Sequence, residues 1–311
     1  MSWKIIAGVG PLLFAVGNAQ VDAPPRQPTG YFVIQKVGAQ NVSDAKLASP
    51  KWAGILIRER WSAIEPTPTT TDWAFIDRQV ARAKKYNKKY VLGINTGNNA
   101  PRWLGVPLYH AAPYPWDPVM LAAHARMVKE LGERYGSDPD LVGVHVSGPT
   151  RGPSGSLEMH LAAGLTRQEG YSESRVISAW QNCIDQYAKA FPDCALISKG
   201  GVAPGGGKAT ISQAVFDYLF TKYPDRANVS HSALKAGTRE NALHHRLVVN
   251  MGRRGCRIGF EMVGPSEGGK DGQKGPLSRF GGPFREALLI AQRANAQWLT
   301  VYQGDEKNLP D

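Results

Sequence analysis

Two glutamates stand where the local sequence could put a carboxylate to chemical use. Glu158 closes the stretch HVSGPTRGPSGSLEMH (145–160), in which a short β-branched run gives way at Gly148-Pro149 to a basic loop of small residues. Glu261 lies inside the apolar run RIGFEMVG (257–264). Glu158 is either a solvated loop charge or a catalytic group delivered to a pocket. Glu261 is either a reactive carboxylate or a structural acid, paired with Arg257 or set against a ligand hydroxyl. In a pocket, each becomes a candidate acid, base or nucleophile. Glu59, flanked by two arginines, reads as ion-paired, and Glu267 as a surface charge in a Gly-rich loop.

The side chains accompanying these acids suit a polyhydroxylated ligand. Asn95 closes one β-branched run with Asn98 and Trp103 just after it, Arg151 and His160 flank Glu158, and Tyr302 and Asp305 stand at the end of the last run. Aromatic faces stack on the apolar face of a sugar ring, while amides and carboxylates bridge adjacent hydroxyls. Hydride transfer and phosphate binding leave other signatures. No GxGxxG follows the first run, and in GGVAPGGGKAT (200–210) Lys208 lacks both the following Ser or Thr and a glycine six residues earlier. No Cys or His cluster has metal-ligand spacing, and His244 and His245, being adjacent, diverge on a helix. Neither a metal nor a cofactor is expected.

These residues need a scaffold that brings them together. Short β-branched runs recur at 31–37, 54–60, 89–95, 141–148, 195–201, 228–234, 257–264 and 298–304. Amphipathic helical stretches separate most of them, at 71–86, 117–136, 173–191, 209–223, 239–252 and 282–296. Asp72 and Asp117 supply capping side chains, and Pro118 suits a first helical turn. Eight such units imply a single (β/α)8 TIM barrel over residues 24–311. The first connection, NVSDAKLASPKWA, is short for a full helix, and a doubly wound open sheet is the alternative. In a barrel, chemistry belongs at the C-terminal ends of the strands, where Asn95, Asn98, Trp103, Arg151, Glu158, His160, Glu261, Tyr302 and Asp305 fall.

The segment GILIRERWSAIEPTPTTTDWAFIDRQVARAKKYNKKYVLGINTGNNAPRWL resembles the second and third β/α units of clan A glycoside hydrolases, especially family 42-like β-galactosidases. The shared parts are W-x-x-I-E-P, a turn, D-W, a helix ending in Lys-Lys, a strand and A-P-R-W-L. Physically, Trp61 and Pro66 would pack a loop on the barrel top, and Trp73, Ile76 and Val80 would form a helix inner face. The resemblance implies a retaining glycosidase without a cofactor, cleaving a β-glycosidic bond of an oligo- or polysaccharide. It places a nucleophile at Glu261, after strand seven, and an acid/base glutamate after strand four. There the chain departs from the clan: Ser147-Gly148 stands in place of Asn-Glu, and Glu158 is the nearest acid. The departure leaves a second function open, a barrel that binds carbohydrate without cleaving it.

The N-terminus has the layout of a secretory signal peptide over residues 1–23: the basic MSWK, the apolar IIAGVGPLLFAVG and small residues before Ala19 and Ala23. A secreted or periplasmic protein with no membrane insertion after cleavage is expected. Export permits disulfides, and Cys183 and Cys194 are near enough in sequence to pair, leaving Cys256 free. The net charge of +11 would favour acidic partners. Lys and Arg are spread rather than striped, so nucleic acid is not an expected partner.

Overall fold

A computed structural model describes residues 23–40, 42–150, 159, 164–200, 209–266 and 280–310. The segment 1–22, where nearly all of the leader falls, lies outside the described residues, as do Arg151, Glu158, His160, Lys208 and Glu267.

Eight strands close into one parallel barrel: β1 (Gly30–Ile34), β2 (Gly54–Arg60), β3 (Lys89–Asn95), β4 (Leu141–His145), β5 (Ala195–Lys199), β6 (Ala227–Leu234), β7 (Arg257–Met262) and β8 (Trp298–Val301). Neighbours in sequence are neighbours in the sheet, and β8 closes on β1 through Gly30↔Trp298 to Val33↔Val301. Helices α1 (Asp44–Ala48), α2 (Trp61–Ile64), α3 (Ala74–Lys85), α4 (Pro118–Tyr135), α5 (Glu173–Ala190), α6 (Thr210–Lys222), α7 (Leu243–Arg253) and α8 (Phe284–Arg293) punctuate the chain. The short first connection holds only the five-residue α1. The asparagine- and proline-rich segment after β3 carries an unforeseen hairpin, Leu108–Tyr109 against Ala112–Pro113, turning through His110 and Ala111 at φ 47° and 71°.

The strands read as apolar runs because both of their faces are buried. Outward residues such as Ile55, Leu92, Val144, Leu196, Val229 and Phe260 join the main core beneath the helices. Inward residues Phe32, Leu56, Val91, Val142, Ala195, Ile197 and Trp298 form a separate plug inside the barrel. Trp298 sets the parity of β7: a Cβ on Gly259 would lie 2.1 Å from its indole, so Gly259 faces inward to make room. Glu261, two residues on, therefore faces inward as well. Asp117 Oδ1 accepts the Met120 N–H (2.8 Å) at the start of α4, and Asp72 Oδ1 accepts the Ala74 N–H (2.8 Å) before α3.

The strand ends are tied together above the plug. Thr96 Oγ1 donates to the Gly148 carbonyl (2.6 Å). Gly97, at φ 64°, lies so close to Thr150 that an added Cβ would fall 1.5 Å from its carbonyl oxygen. Only glycine meets both the conformation and the approach there. Glu65 is buried and accepts from the Trp61 indole (2.9 Å) and from Arg126 of α4 (3.1 Å), so the W-x-x-I-E-P segment is a structural clasp. All three cysteines are buried and unbridged, so Cys183 and Cys194 do not pair. No helix among the described residues is long and apolar enough to cross a membrane.

Candidate functional site

The inward positions at the C-terminal ends of the strands carry polar and charged side chains where the lower barrel is apolar. On β2 the inward series runs Gly54, Leu56, Arg58; on β3, Val91, Gly93, Asn95; on β5, Ala195, Ile197, Lys199; on β7, Gly259, Glu261. Registers Lys199↔Ser230, Ser230↔Gly259 and Glu261↔Thr300 bring Ser230 and Thr300 onto the same inner surface. His145, at the end of β4, points at the Trp298 ring with centroids 6.4 Å apart.

Glu261 is the centre of this group. Its Oε2 accepts from Lys199 Nζ at 2.5 Å and lies 3.4 Å from Thr300 Oγ1, and its Oε1 is 3.8 Å from Arg58 Nη1. The side chains of Lys199, Glu261 and Arg58 are 1%, 7% and 11% exposed, so the ion pair works in a medium well below the dielectric constant of water. Burial and the nearby Lys199 and Arg58 cations hold the His145 imidazole well below its usual range, so it is neutral at neutral pH. Among the described residues neither His145 nitrogen has a hydrogen-bond partner, and the same is true of both ends of the Asn95 amide and of the Ser230 hydroxyl.

The expected partner of Glu261, Arg257, is elsewhere. Both residues lie on one face of β7, but four residues along a strand is roughly 13 Å. Arg257 instead donates to the Pro28 carbonyl (2.8 Å) and Thr29 Oγ1 (3.1 Å), near the start of β1. Glu59, expected to be ion-paired, accepts the backbone N–H of Arg60 (2.7 Å) and forms no ion pair among the described residues; burial raises its pKa.

Of the other expected site residues, Asn95 belongs to the Glu261 surface by strand parity. Asn98 is half-buried and accepts from Asn99 (3.3 Å). Trp103 donates its indole N–H to the Glu65 carbonyl (2.8 Å) with the Arg126 guanidinium 5.8 Å from its ring, which places it against α4. Tyr302 packs half-buried on the main core. Asp305 is buried and accepts the Ser266 N–H (3.1 Å) and hydroxyl, clasping the chain that leaves β7. Lys199, Arg58 and His145 were not foreseen as site residues. Lys199 and His145 are the last inward positions of their strands, and Arg58 is followed on its face only by the exposed Arg60; each is a polar side chain near the end of an apolar run.

At the end of β4 the departure from the clan pattern has a structural form. Ser147 Oγ pairs with the Tyr187 hydroxyl of α5 (2.8 Å), and a Cβ on Gly148 would lie 3.0 Å from the Trp180 ring. Both positions are committed to the helix layer. A side chain at 148 would press against the buried Trp180 indole.

By sequence, neither a protein-family model nor a curated protein matches the chain. Its fold is shared with solved glycoside hydrolases. The endo-1,4-β-xylanase from Caldicellulosiruptor owensensis superposes with a TM-score of 0.55 at 12% identity, over 88% of this chain and 85% of that one. The β-galactosidase from the psychrophilic Marinomonas ef1 gives 0.54 at 13% identity, over 88% of this chain and 53% of that one. The present chain thus spans about half the length of that enzyme. A psychrophilic family 10 endo-β-1,4-xylanase gives 0.50 at 11% identity, covering 88% and 86%. At these identities the likeness is one of architecture: this chain is a single-domain (β/α)8 barrel of the form found in glycoside hydrolases.

Proposed function

We propose that the protein is a retaining glycoside hydrolase acting on a β-linked oligo- or polysaccharide, with Glu261 as nucleophile and Glu158 as acid/base. The observation that carries this reading is the buried Glu261 carboxylate at the inward end of β7, held by Lys199 in a glycosidase-type barrel. In this scheme Lys199 holds Oε2 while Oε1 attacks the anomeric carbon and Glu158 protonates the departing oxygen. Water then hydrolyses the glycosyl-enzyme, with Glu158 taking its proton. The mechanism calls for the two carboxyl groups to lie about 5–5.5 Å apart. Asn95, Asn98 and Tyr302, with Arg151 and His160 flanking Glu158 in sequence, would hold sugar hydroxyls.

The test is turnover of β-linked oligosaccharides by Glu261→Gln and Glu158→Gln, with folding checked by circular dichroism. Each change should lower turnover by about three orders of magnitude or more, and a 2-fluoro glycoside should label Glu261 in the unaltered protein. Full activity in either variant refutes the assignment. A second reading, carbohydrate binding without cleavage, is favoured by the commitment of Ser147 and Gly148 to the helix layer. Saturable binding with no product from any bound glycan would select it. Residues 1–23 support export to the periplasm or beyond, and an exported protein that retains Met1 would refute processing there.

A further inference from the structure

The ion pair at the top of β7 is unbalanced. Among the described residues one carboxylate, Glu261, faces two cations, Lys199 on Oε2 and Arg58 near Oε1. Arg58 spends its Nε–H on the Gln35 carbonyl (2.8 Å), and its terminal N–H groups have no hydrogen-bond acceptor among the described residues. A guanidinium keeps its charge at any accessible pH, so the excess positive charge cannot be relieved by losing a proton. Beside it, the Asn95 amide, the His145 imidazole and the Ser230 hydroxyl are fully buried with no partner for any polar atom among the described residues. His145 adds no compensating charge, because it is neutral. Buried donors and a cation in excess cost stability unless something pairs with them. A neutral sugar would satisfy the amide, imidazole and hydroxyl, and it would leave the charge uncompensated.

Building on the glycan reading above, we propose that this end of the barrel takes an acidic sugar residue. Its carboxylate or sulfate ester would lie against Arg58 and Lys199, and its hydroxyls against Asn95, His145 and Ser230. The planar fork of Arg58 offers two parallel N–H donors to either anion, which a lone ammonium does not. The chain's net charge of +11 raises the encounter rate with such a polymer without selecting among its residues.

The full-length protein should be titrated calorimetrically with three β-1,4-linked oligosaccharides of one length: an oligoglucuronide, its carboxyl-reduced neutral counterpart and a sulfated form of that neutral chain. Binding of at least one acidic form should be about tenfold or more tighter than that of the neutral one. The preference should collapse in Arg58→Gln, which leaves the Lys199–Glu261 pair intact, and in about 0.5 M salt. The salt arm decides the matter should Arg58→Gln not fold. Equal or tighter binding of the neutral chain overturns the proposal, as does an acidic preference that Arg58→Gln and salt both leave unchanged. Cleavage of neutral glycans alone would overturn it while leaving the hydrolase reading standing. Absence of binding and of reducing-end release across all three and a broader β-glycan panel would remove both.

Discussion

Replacing Lys199 by methionine keeps most of the side-chain volume and removes only the ammonium that holds Glu261. The Nζ–Oε2 distance is 2.5 Å and that from Arg58 to Oε1 is 3.8 Å. With an effective dielectric constant of about 20, these separations correspond to gross attractions of about 7 and about 4 kcal/mol. Desolvation offsets most of that, and breaking a buried pair typically costs about 3–5 kcal/mol because a charge is left unpaired. Arg58 stays beside Glu261 in Lys199→Met, so the expected loss sits near the lower end, about 3 kcal/mol. Glu261→Gln leaves two buried cations without their anion, and its expected cost is nearer about 5 kcal/mol. The double variant leaves a single buried cation. Its cost should fall short of the summed single costs by about 2 kcal/mol or more. Urea unfolding followed by tryptophan fluorescence and far-UV circular dichroism measures all three. A cost below about 1 kcal/mol for Lys199→Met, or strict additivity in the double variant, would refute the account of this cluster as a coupled buried ion pair.

Two further outcomes follow from burial alone. His124, packed against Trp61 and Tyr187, has its pKa lowered by burial from 6.5 to about 4, so the unfolded chain binds a proton there that the folded chain refuses. Stability is therefore complete above pH 6.5 and falls as the pH drops toward about 4, by about 3 kcal/mol from this residue; the buried, neutral His145 adds in the same direction. A His124→Gln variant whose stability between pH 7 and 4 declines as steeply as that of the parent would contradict this. The thiols of Cys183, Cys194 and Cys256 are buried and each is pushed up to about 12, so none should react with iodoacetamide in the native protein at pH 8. All three should react after unfolding without reductant; recovery of only one would show a disulfide.

The barrel was legible because every strand is buried on both faces and therefore announces itself as a β-branched or apolar run. Strand boundaries were less so. Tyr302 and Gln303 continue the run of β8 in composition, yet the chain turns into a 3-10 segment at Gln303–Asn308 once the ladder with β1 ends at Val301. Parity was invisible for a specific reason: Gly259 and Glu261 share a face, and only the Trp298 ring of the neighbouring strand shows that this face is the inside. The pairing of Lys199 with Glu261 spans 62 positions and two intervening ladders. Nothing local to ALISK or RIGFEM encodes it. Arg257 looked like the partner because periodicity records which face a residue takes and ignores how far along the strand it sits. Ile76 and Val80, by contrast, pack where the helical spacing puts them, because a helix face is a local property.

The strand ends and the loops contribute to the site on different terms. Arg58, Asn95, His145, Lys199 and Glu261 ride on hydrogen-bonded strands whose registers leave them little freedom, so the floor of the site is set by the barrel itself. Ser147 and Gly148, just past the end of β4, are excluded from that floor, since Ser147 is bonded to Tyr187 and Gly148 lies against Trp180. An acid that completes a hydrolase must then come from the chain beyond Gly148, and Glu158 is the nearest candidate in sequence. The two halves are separable: loss of the loop acid would stop turnover and leave the charge and hydrogen-bonding groups of the floor intact. Ligand affinity measured in Glu158→Gln should accordingly match that of the unaltered protein, and a binding-only barrel is what such a chain becomes once its loop carries no acid.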